Sequence, residues 1–219
     1  MMDKNKKQIL IVTAVEAERD AIMKGLYRTE NIHVIAGGVG PVSAAVNTTK
    51  ALCTSKYDIV ISMGIGGGFV GRAEVGSIVV ANKIIAADLG AETAEGFSSL
   101  DELGFGSAQL KVNQDLATKI FESLHKTIPN VHLGPILTLS TVTGTAETAA
   151  KLTNRIKGAT VEAMEGFGVA TAAVKFDIPV LEIRTISNPV GPREREAWRM
   201  KEAFEGLTKT STVLQEVFS

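Results

Sequence analysis

Glu18 is the first residue in the chain whose type and position suit catalysis. It follows the apolar segment QILIVTAV (8–15), which predicts a buried strand, and it lies two residues beyond Glu16. A carboxylate that points across the end of a strand can act as a general base on a water molecule. Alternatively, both acids begin a helix, where the helix dipole favours negative charge. We favour this alternative for Glu16; Glu18 is a candidate base if its side chain crosses the strand ends.

The segment VEAMEGFGVA (161–170) carries two carboxylates, Glu162 and Glu165, in apolar surroundings. Residues three positions apart share one face of a helix, so we expect the two acids to lie side by side on a helix. A buried carboxylate needs hydrogen-bond donors, and two vicinal sugar hydroxyls would supply them. A salt bridge to a core arginine, for which Arg184 is available, is the alternative.

The apolar segment PVLEIRTIS (179–187) predicts a strand that ends on a hydroxyl and an amide, Ser187 and Asn188, just before Pro189. Ligands of open α/β sheets bind at the carboxyl ends of the strands, so this pair could contact a ligand. A helix N-cap or an Asn-Pro turn is the alternative.

Two arginines and the only tryptophan follow this strand in GPREREAW (191–198). Arg193 and Arg195 could bind a carboxylate with their forked guanidinium groups, and Trp198 suits contact with a flat ring. These residues therefore predict a clamp for an anionic group that carries a ring. Alternatively, Glu194 and Glu196 pair with the arginines on a helix surface.

The glycine-rich segment GGGFVG (66–71) matches the spacing of a dinucleotide-binding loop. Such a loop must be followed by a helix, whereas RAEVGSIVV follows here and predicts a turn and a strand, which disfavours a nicotinamide enzyme. Gly64 and Gly66 would still let the backbone approach a ligand at the end of the strand DIVISMG (58–64). A tight turn explains the glycines equally well.

Apolar, β-branched segments alternate with helical patterns along the chain, which predicts an α/β fold. We predict strands at 8–15, 31–37, 58–64, 132–142 and 179–187, extended chain at 76–90, helices at 16–26, 41–53, 113–126, 145–156 and 164–176, and a mostly helical tail from 194. The strands are continuously apolar, as is typical of a sheet covered on both faces. The segment 88–110 is polar and rich in glycine, so we predict a long binding loop there.

The composition has the balance of hydrophobic and charged residues of an ordinary soluble domain, and we treat residues 1–219 as one domain. With a formal net charge of -1, the chain has no basic field to attract nucleic acid or an acidic membrane. Cys53 is the only cysteine and the three histidines lie far apart, so we expect no metal site built from these residues. The apolar segment after the charged start MMDKNKK is too short for a signal peptide or a membrane span, which predicts a cytoplasmic location.

Five motifs, taken in order, resemble those of the purine nucleoside phosphorylase/nucleosidase family. They are VTAVEAE (12–18), GGVGPVSAA (37–45), SMGIGGGF (62–69), ATVEAMEGFGVA (159–170) and RTISNPVGPRER (184–195). The resemblance covers almost the whole chain and implies a three-layer α/β fold, with a mixed central sheet flanked by helices. It also implies a small nucleoside as substrate and a homodimer or larger homo-oligomer, in which the 88–110 segment is a candidate to complete a neighbouring pocket.

The resemblance implies roles at the sugar. Glu18 matches the water-activating glutamate of methylthioadenosine/adenosylhomocysteine nucleosidases, and Met164 and Glu165 match the pair that packs under the ribose and binds its 2′ and 3′ hydroxyls. Family phosphorylases hold phosphate with arginines near the first strand and before the glycines. Here Glu18 occupies the first region and Ser62-Met63 the second. Because phosphate would be repelled, we expect water to be the nucleophile and the enzyme to be a hydrolase.

At the base, Ser187 and Asn188 match the pair that engages the purine, and Val142 and Thr143 fall in the base pocket in a looser alignment. Adenine nucleosidases carry an aspartate in place of Asn188. Hypoxanthine, a 6-oxopurine, presents acceptors at N7 and O6. A carboxylate facing O6 would leave an unmatched buried acceptor, which costs about 1–3 kcal/mol. Because an asparagine NH2 can donate to that edge, we expect a 6-oxopurine nucleoside.

Three other functions remain as alternatives: an adenine-type nucleosidase, an inosine-cleaving phosphorylase and a nucleoside-binding sensor without activity. The combination of Glu18 with Glu165 and Asn188 argues against the sensor, because a sensor has no use for a water-activating base. Ser187 has no histidine near it in the sequence, so we expect it to support Asn188 rather than to act as a nucleophile.

Overall fold

The structure is a computed structural model that describes residues 6–27 and 30–219. The first five residues of the charged start, which entered the signal-peptide argument, lie outside this range. Among the described residues, no helix is both long enough and apolar enough to cross a membrane.

Ten strands and six α-helices form the fold. The strands are β1 (Ile9–Thr13), β2 (Ile32–Ala36), β3 (Ile59–Gly68), β4 (Ile78–Ala86), β5 (Gly90–Thr93), β6 (Gly96–Ser99), β7 (Gln109–Lys111), β8 (Val131–Thr138), β9 (Val161–Ala163) and β10 (Val180–Pro189). The helices are α1 (Glu16–Gly25), α2 (Pro41–Thr54), α3 (Gln114–Thr127), α4 (Ala146–Arg155), α5 (Gly166–Lys175) and α6 (Met200–Val217), and a 3-10 turn spans Arg195–Ala197. These counts refer to the described part of the chain.

The central sheet is mixed and partly closed on itself. Strands β10, β4, β8, β9 and β3 pair in that order, and β3 also pairs with β10, which completes a ring. Parallel strands β1 and β2 extend the sheet from β3. The pairs β3–β9, β4–β10 and β4–β7 are antiparallel. The predicted mixed sheet flanked by helices is therefore confirmed.

Buried aliphatic side chains of the strands form the core, and the helices cover it. Helix α1 packs on α6 and helix α2 packs on α5, while α3 contacts β4, β8 and α6. Gly40, whose φ of 87° suits glycine, immediately precedes helix α2, and Pro41 occupies the first turn of the helix predicted for 41–53. Asn113 caps α3 by accepting the Leu116 N–H at 2.9 Å, at the start of the helix predicted for 113–126.

Two sequence predictions near the cavity were wrong in detail. The strand predicted over 132–142 ends at Thr138, because the Ser140 N–H donates to the Asp88 carboxylate at 2.6 Å instead of to a neighbouring strand. Residues 161–163 form strand β9, which was not predicted, and α5 starts only at Gly166. Glu162 and Glu165 therefore do not share a helix face: the first lies on β9 and the second caps α5.

The segment 88–110 is not the structureless loop that its composition predicts. It forms the hairpin of β5 and β6 and leads into β7. Carboxylates hold it together, because Asp101 accepts the Ala108 N–H at 2.8 Å and Glu102 accepts the Ser99 N–H at 2.7 Å.

Candidate active site

A cavity of about 320 Å³ opens where β1, β3, β9 and β10 approach their carboxyl ends. This volume lies in the range of sites that hold small organic ligands. The predicted site residues that line the cavity are Glu18, Val142, Thr143, Met164, Glu165, Gly66, Ser187, Asn188, Arg193 and Trp198. The two predicted residues that do not line it are Gly64 and Arg195.

Glu18 lies in the first turn of α1, and its carboxylate folds back over the end of β1. One oxygen accepts the N–H groups of Ala14 at 2.9 Å and Val15 at 3.3 Å, and the other accepts the N–H of Ile65 on β3 at 2.8 Å. The side chain is only 3% exposed. The carboxylate therefore faces the cavity in a fixed position that two strands and a helix define.

Arg184 lies behind this wall and links the buried acids. Its Nη1 donates to Glu165 Oε2 at 3.2 Å, its Nη2 to Ser62 Oγ at 3.1 Å, and its Nε to Glu182 Oε1 at 2.9 Å. The other oxygen of Glu165 accepts the Gly40 N–H at 3.2 Å. The salt bridge between Glu165 and Arg184, which the sequence left as an alternative, is thus present, while Glu165 also lines the cavity.

Gly64 contributes to the site from behind the cavity wall. A Cβ atom at this position would lie 2.7 Å from both Glu18 Oε1 and Arg184 Nη1. Any side chain would separate these two groups, so glycine is what allows the carboxylate and the guanidinium to approach each other.

Burial dominates the electrostatics of Glu18. The loss of hydration raises the pKa of its carboxyl group, and neighbouring Arg184 and the donated N–H groups of Ile65 and Ala14 oppose the rise without cancelling it. Glu165 adds a smaller repulsive contribution to the same effect. A carboxylate whose pKa is raised towards neutrality is suited to take a proton from water.

The amide of Asn188 is oriented by its neighbour. Ser187 Oγ donates to Asn188 Oδ1 at 2.8 Å, and Asn188 Nδ2 donates to the Pro189 carbonyl at 3.0 Å. Strand β10 runs to Pro189 rather than ending at Ser187, and its register with β3 shifts between Ile186 and Asn188. This bulge directs the pair into the cavity, a common use of bulges beside binding sites. One N–H of the amide remains available to a ligand.

Glu162 is a cavity residue whose position the sequence did not predict. It is 6% exposed, and its carboxylate accepts the Thr143 N–H at 2.8 Å and the Thr143 hydroxyl. Burial raises the pKa of Glu162, and the two bonds from Thr143 oppose the rise. The contact fastens the Val142–Thr143 loop to β9. The strand was too short to predict, so no signal in the sequence paired these residues.

The outer rim of the cavity carries Arg193 and Trp198. The Arg193 guanidinium carbon lies 5.5 Å from the centre of the Trp198 ring, a cation–π arrangement. Arg195 begins the 3-10 turn, is exposed and does not line the cavity. Of the three residues in the predicted clamp, two therefore lie together at the rim.

Acids outnumber cations on the cavity surface. Among the described residues that line it, Glu18, Glu162 and Glu165 are acidic and Arg193 alone is basic. No group of three or more histidine, cysteine, aspartate or glutamate side chains within 6–27 and 30–219 is arranged to hold a metal ion.

Comparison with known proteins identifies the family of the chain. The model of the phosphorylase superfamily matches residues 7–217. The chain belongs to the phosphorylase superfamily. The futalosine hydrolase of Streptomyces coelicolor is 46% identical to it over 220 aligned residues, which cover 91% of this chain and 92% of that protein. The futalosine hydrolase of Acidothermus cellulolyticus is 38% identical, with 90% and 89% covered.

Solved structures of superfamily members share the fold. The methylthioadenosine/adenosylhomocysteine nucleosidase of Neisseria meningitidis, in complex with methylthio-immucillin-A, superposes with a TM-score of 0.84 at 18% identity and covers 96% of this chain and 99% of its own. The futalosine hydrolase of Helicobacter pylori superposes with a TM-score of 0.81 at 18% identity, with 95% and 96% covered. The family resemblance inferred from the five motifs is confirmed.

Proposed function

We propose that this protein is a futalosine hydrolase, an N-ribosyl hydrolase that cleaves the glycosidic bond of futalosine and releases hypoxanthine. The observation that carries the proposal is the identity of 46% with a curated futalosine hydrolase over 91% of the chain. The site supports it independently, because a buried carboxylate, a second carboxylate and an oriented amide line one cavity.

Glu18 is the proposed general base. Its carboxylate, whose pKa is raised by burial, orients a water molecule and takes its proton as the oxygen attacks C1′ of the ribose. The backbone bonds from Ala14, Val15 and Ile65 fix the carboxylate before substrate binds, so little reorganisation accompanies the reaction.

Glu165 and Met164 are proposed to hold the ribose. Glu165 already accepts one bond from Gly40 and one from Arg184, and each carboxylate oxygen can accept a further bond from a sugar hydroxyl. Its negative charge also stabilises the cationic, oxocarbenium-like sugar of the transition state. Met164 lines the cavity beside it and supplies apolar contact under the sugar ring.

Asn188 is proposed to bind the leaving purine. Ser187 occupies the Oδ1 acceptor of the amide, which directs the NH2 group towards the ligand. Hypoxanthine presents acceptors at N7 and O6, so the amide donates to the base and stabilises the negative charge that develops on it as the bond breaks. Val142 and Thr143 complete the base pocket from the loop that Glu162 fastens.

Hydrolysis is favoured over phosphorolysis by the charge of the cavity. Arg184 does not line the cavity, and its three nitrogens all donate to protein atoms. A phosphate dianion beside Glu18 would meet like charge in a desolvated site, which is strongly unfavourable. Water is therefore the nucleophile, and no cofactor is required.

The rim residues are proposed to receive the benzoate of futalosine. Arg193 can pair with the carboxylate and Trp198 can stack on the aromatic ring. Their position at the mouth of the cavity leaves the interior for the nucleoside.

We also place the reaction in the cytoplasm and in the alternative menaquinone route, which futalosine hydrolases serve.

We further propose a homodimer or larger homo-oligomer. Val39 at the cavity mouth and Val42 and Val46 on α2 are 55%, 75% and 55% exposed. Val42 and Val46, one turn apart, form an apolar stripe that a second subunit would cover. Light scattering of the purified protein tests this: a mass near that of one 23.2 kDa chain contradicts it.

A substrate panel tests the function directly. Purified protein is incubated with futalosine, inosine and methylthioadenosine, and the released bases are separated by chromatography. We expect hypoxanthine from futalosine as the fastest reaction. Faster release of adenine from methylthioadenosine would replace the proposal with an adenine-type nucleosidase, and no release from any of them would leave a binding protein.

A further inference from the structure

Glu182 is a buried carboxylate that the proposed mechanism does not use. It lies on β10 two residues before Arg184, so both side chains project from the same face of the sheet. Glu182 is 0% exposed and Arg184 is 1% exposed. Neither residue lines the cavity.

The fork of Arg184 is held at every nitrogen. Glu182 binds Nε, Ser62 binds Nη2, and Glu165 and the Ile65 carbonyl bind Nη1 at 3.2 and 3.4 Å. The bond at Nε fixes the plane of the guanidinium group, because Nε is its point of attachment to the side chain. Glu182 therefore helps to hold the plane in which Nη1 reaches Glu165.

The surroundings of Glu182 are built around its carboxylate. A Cβ atom at Gly166 would lie 2.0–2.2 Å from the carboxylate atoms, so a residue without a side chain makes room for the acid at the start of α5. The second oxygen, Oε2, has no hydrogen-bond partner among the described residues. A fully buried carboxyl group with one unpartnered oxygen contributes little to the stability of the fold, because an apolar side chain of equal size would fill the same space without a desolvation cost. This points to a role in the site.

We propose that Glu182 is a positioning residue that anchors Arg184 and, through Arg184, controls the two cavity carboxylates, Glu18 and Glu165. This inference rests on the proposed function for its kinetic consequence, but not for its structural one. Glu165 accepts a hydrogen bond from Nη1 at 3.2 Å, and a Cβ atom at Gly64 would lie 2.7 Å from both Nη1 and Glu18 Oε1. A displaced guanidinium would leave both acids without their cation.

The charged groups that face Glu18 decide the direction of the effect. They are Arg184 on β10, which lowers the pKa of Glu18, and Glu165 at the start of α5, which raises it. Moving Arg184 away removes the lowering contribution, so the pKa of Glu18 rises further. Burial also raises the pKa of Glu182, which favours its neutral form, so glutamine is a close replacement that keeps an acceptor for Nε.

The test compares two variants of Glu182. Glu182→Gln keeps an acceptor for Arg184 Nε, whereas Glu182→Met has a side chain of similar length but no such acceptor. Thr185→Val is the matched control, because Thr185 is equally buried on the same strand but packs against Gly206 of α6. In each variant the Glu18 carboxyl is titrated by 13C NMR, with its signal identified by its loss in Glu18→Gln, and hypoxanthine release from futalosine is measured against pH.

In Glu182→Met we expect the Glu18 titration to move up by about one pH unit, the lower end of what a neighbouring opposite charge does to a carboxylate. We also expect kcat to fall roughly tenfold to a hundredfold, as for a catalytic group displaced by about 1 Å. Glu182→Gln and Thr185→Val should stay close to the wild type in both measurements.

An unchanged Glu18 titration in folded Glu182→Met overturns the inference. If Glu182→Met does not fold, Glu182→Leu, which also removes the acceptor for Nε, takes its place, and an unchanged Glu18 titration in that variant overturns the inference as well. The NMR result does not depend on turnover. A wild-type protein that releases no hypoxanthine would therefore refute the proposed function while the positioning role is still judged by the titration.

Discussion

The two ends of the cavity differ in how firmly their charged groups are held. At the sugar end, Glu18 and Glu165 are 3% and 6% exposed and each carboxylate accepts at least two bonds from the protein. At the rim, Arg193 is exposed, and its described contact is with the half-buried ring of Trp198 at 5.5 Å. Asn188 lies between these extremes, half-buried and oriented by Ser187.

This difference separates chemistry from recognition. In the desolvated sugar end, charges interact strongly and are already oriented, which is where stabilisation of a transition state is most effective. At the exposed rim, water and salt screen the same interactions, so a contact there contributes little. We therefore expect the effects of substitutions to fall from the sugar end to the rim.

The largest effect is expected for Glu18→Gln. The amide cannot take a proton from water, so kcat for hypoxanthine release should fall about a hundredfold or more, as for loss of a general base. Binding of futalosine, measured by calorimetry, should remain. Glu16→Gln is the matched control on the same helix, because Glu16 is exposed, and it should change kcat less than about twofold. Turnover retained in Glu18→Gln would remove this residue from the mechanism.

The second prediction concerns pH. The base must be ionised, and burial raises the pKa of Glu18, so kcat/KM should fall as the pH drops through a value above that of an ordinary glutamate. Below it, the fall is about tenfold per pH unit. Circular dichroism should show folded protein throughout this range. Because burial also raises the pKa of Glu162, the variant Glu162→Gln is the control, and it should show the same fall of kcat/KM at low pH as the wild type. If the fall of kcat/KM has its midpoint at or below the ordinary pKa of glutamate, the assignment of Glu18 as the base is contradicted.

Asn188→Asp addresses the middle of the cavity. A carboxylate there presents an acceptor to O6 of hypoxanthine, and an unmatched buried acceptor costs about 1–3 kcal/mol, or roughly fivefold to a hundredfold in kcat/KM. Cleavage of 6-aminopurine nucleosides should lose less. We would measure kcat/KM for inosine and adenosine. An equal loss on both substrates would refute the role of the amide in base recognition.

Arg193→Met should have the smallest effect. Loss of an exposed ion pair costs about 0.2–1 kcal/mol, so KM for futalosine should rise roughly 1.4-fold to fivefold while KM for inosine, which has no benzoate, stays constant. Arg195→Met is the matched control, because Arg195 does not line the cavity. Equal effects of both variants on futalosine would dismiss Arg193 as the benzoate contact.

Much of the fold was predictable because periodicity and motif order are local in the sequence. Strands β1, β3 and β10 and helices α2 and α3 lie where apolar segments and caps predict them. Strand β9 was not predictable: it has three residues and exists because β3 and β8 pair with it from both sides. A strand that depends on distant partners leaves no periodic signal of its own.

The site was predictable where side-chain type alone suggests a role, as for Glu18 and Asn188, both of which line the cavity. What the sequence could not show is how buried acids share a partner. Arg184 appears in it as a possible salt-bridge partner, but Glu182 appears simply as a polar residue in an apolar strand. Three features arise only in the folded chain. They are the hydrogen bond from Arg184 Nε to Glu182, the approach of Glu18 and Arg184 that the missing side chain of Gly64 allows, and the contact between Glu162 and Thr143.

The nature of the nucleophile is tested most directly by incubating the purified protein with futalosine with and without added phosphate. Hypoxanthine is quantified by chromatography, and the sugar product is examined by mass spectrometry for phosphate. We predict the same rate of hypoxanthine release in both conditions and a sugar product with a hydroxyl at C1′. Release that requires phosphate and yields a sugar 1-phosphate would contradict the account.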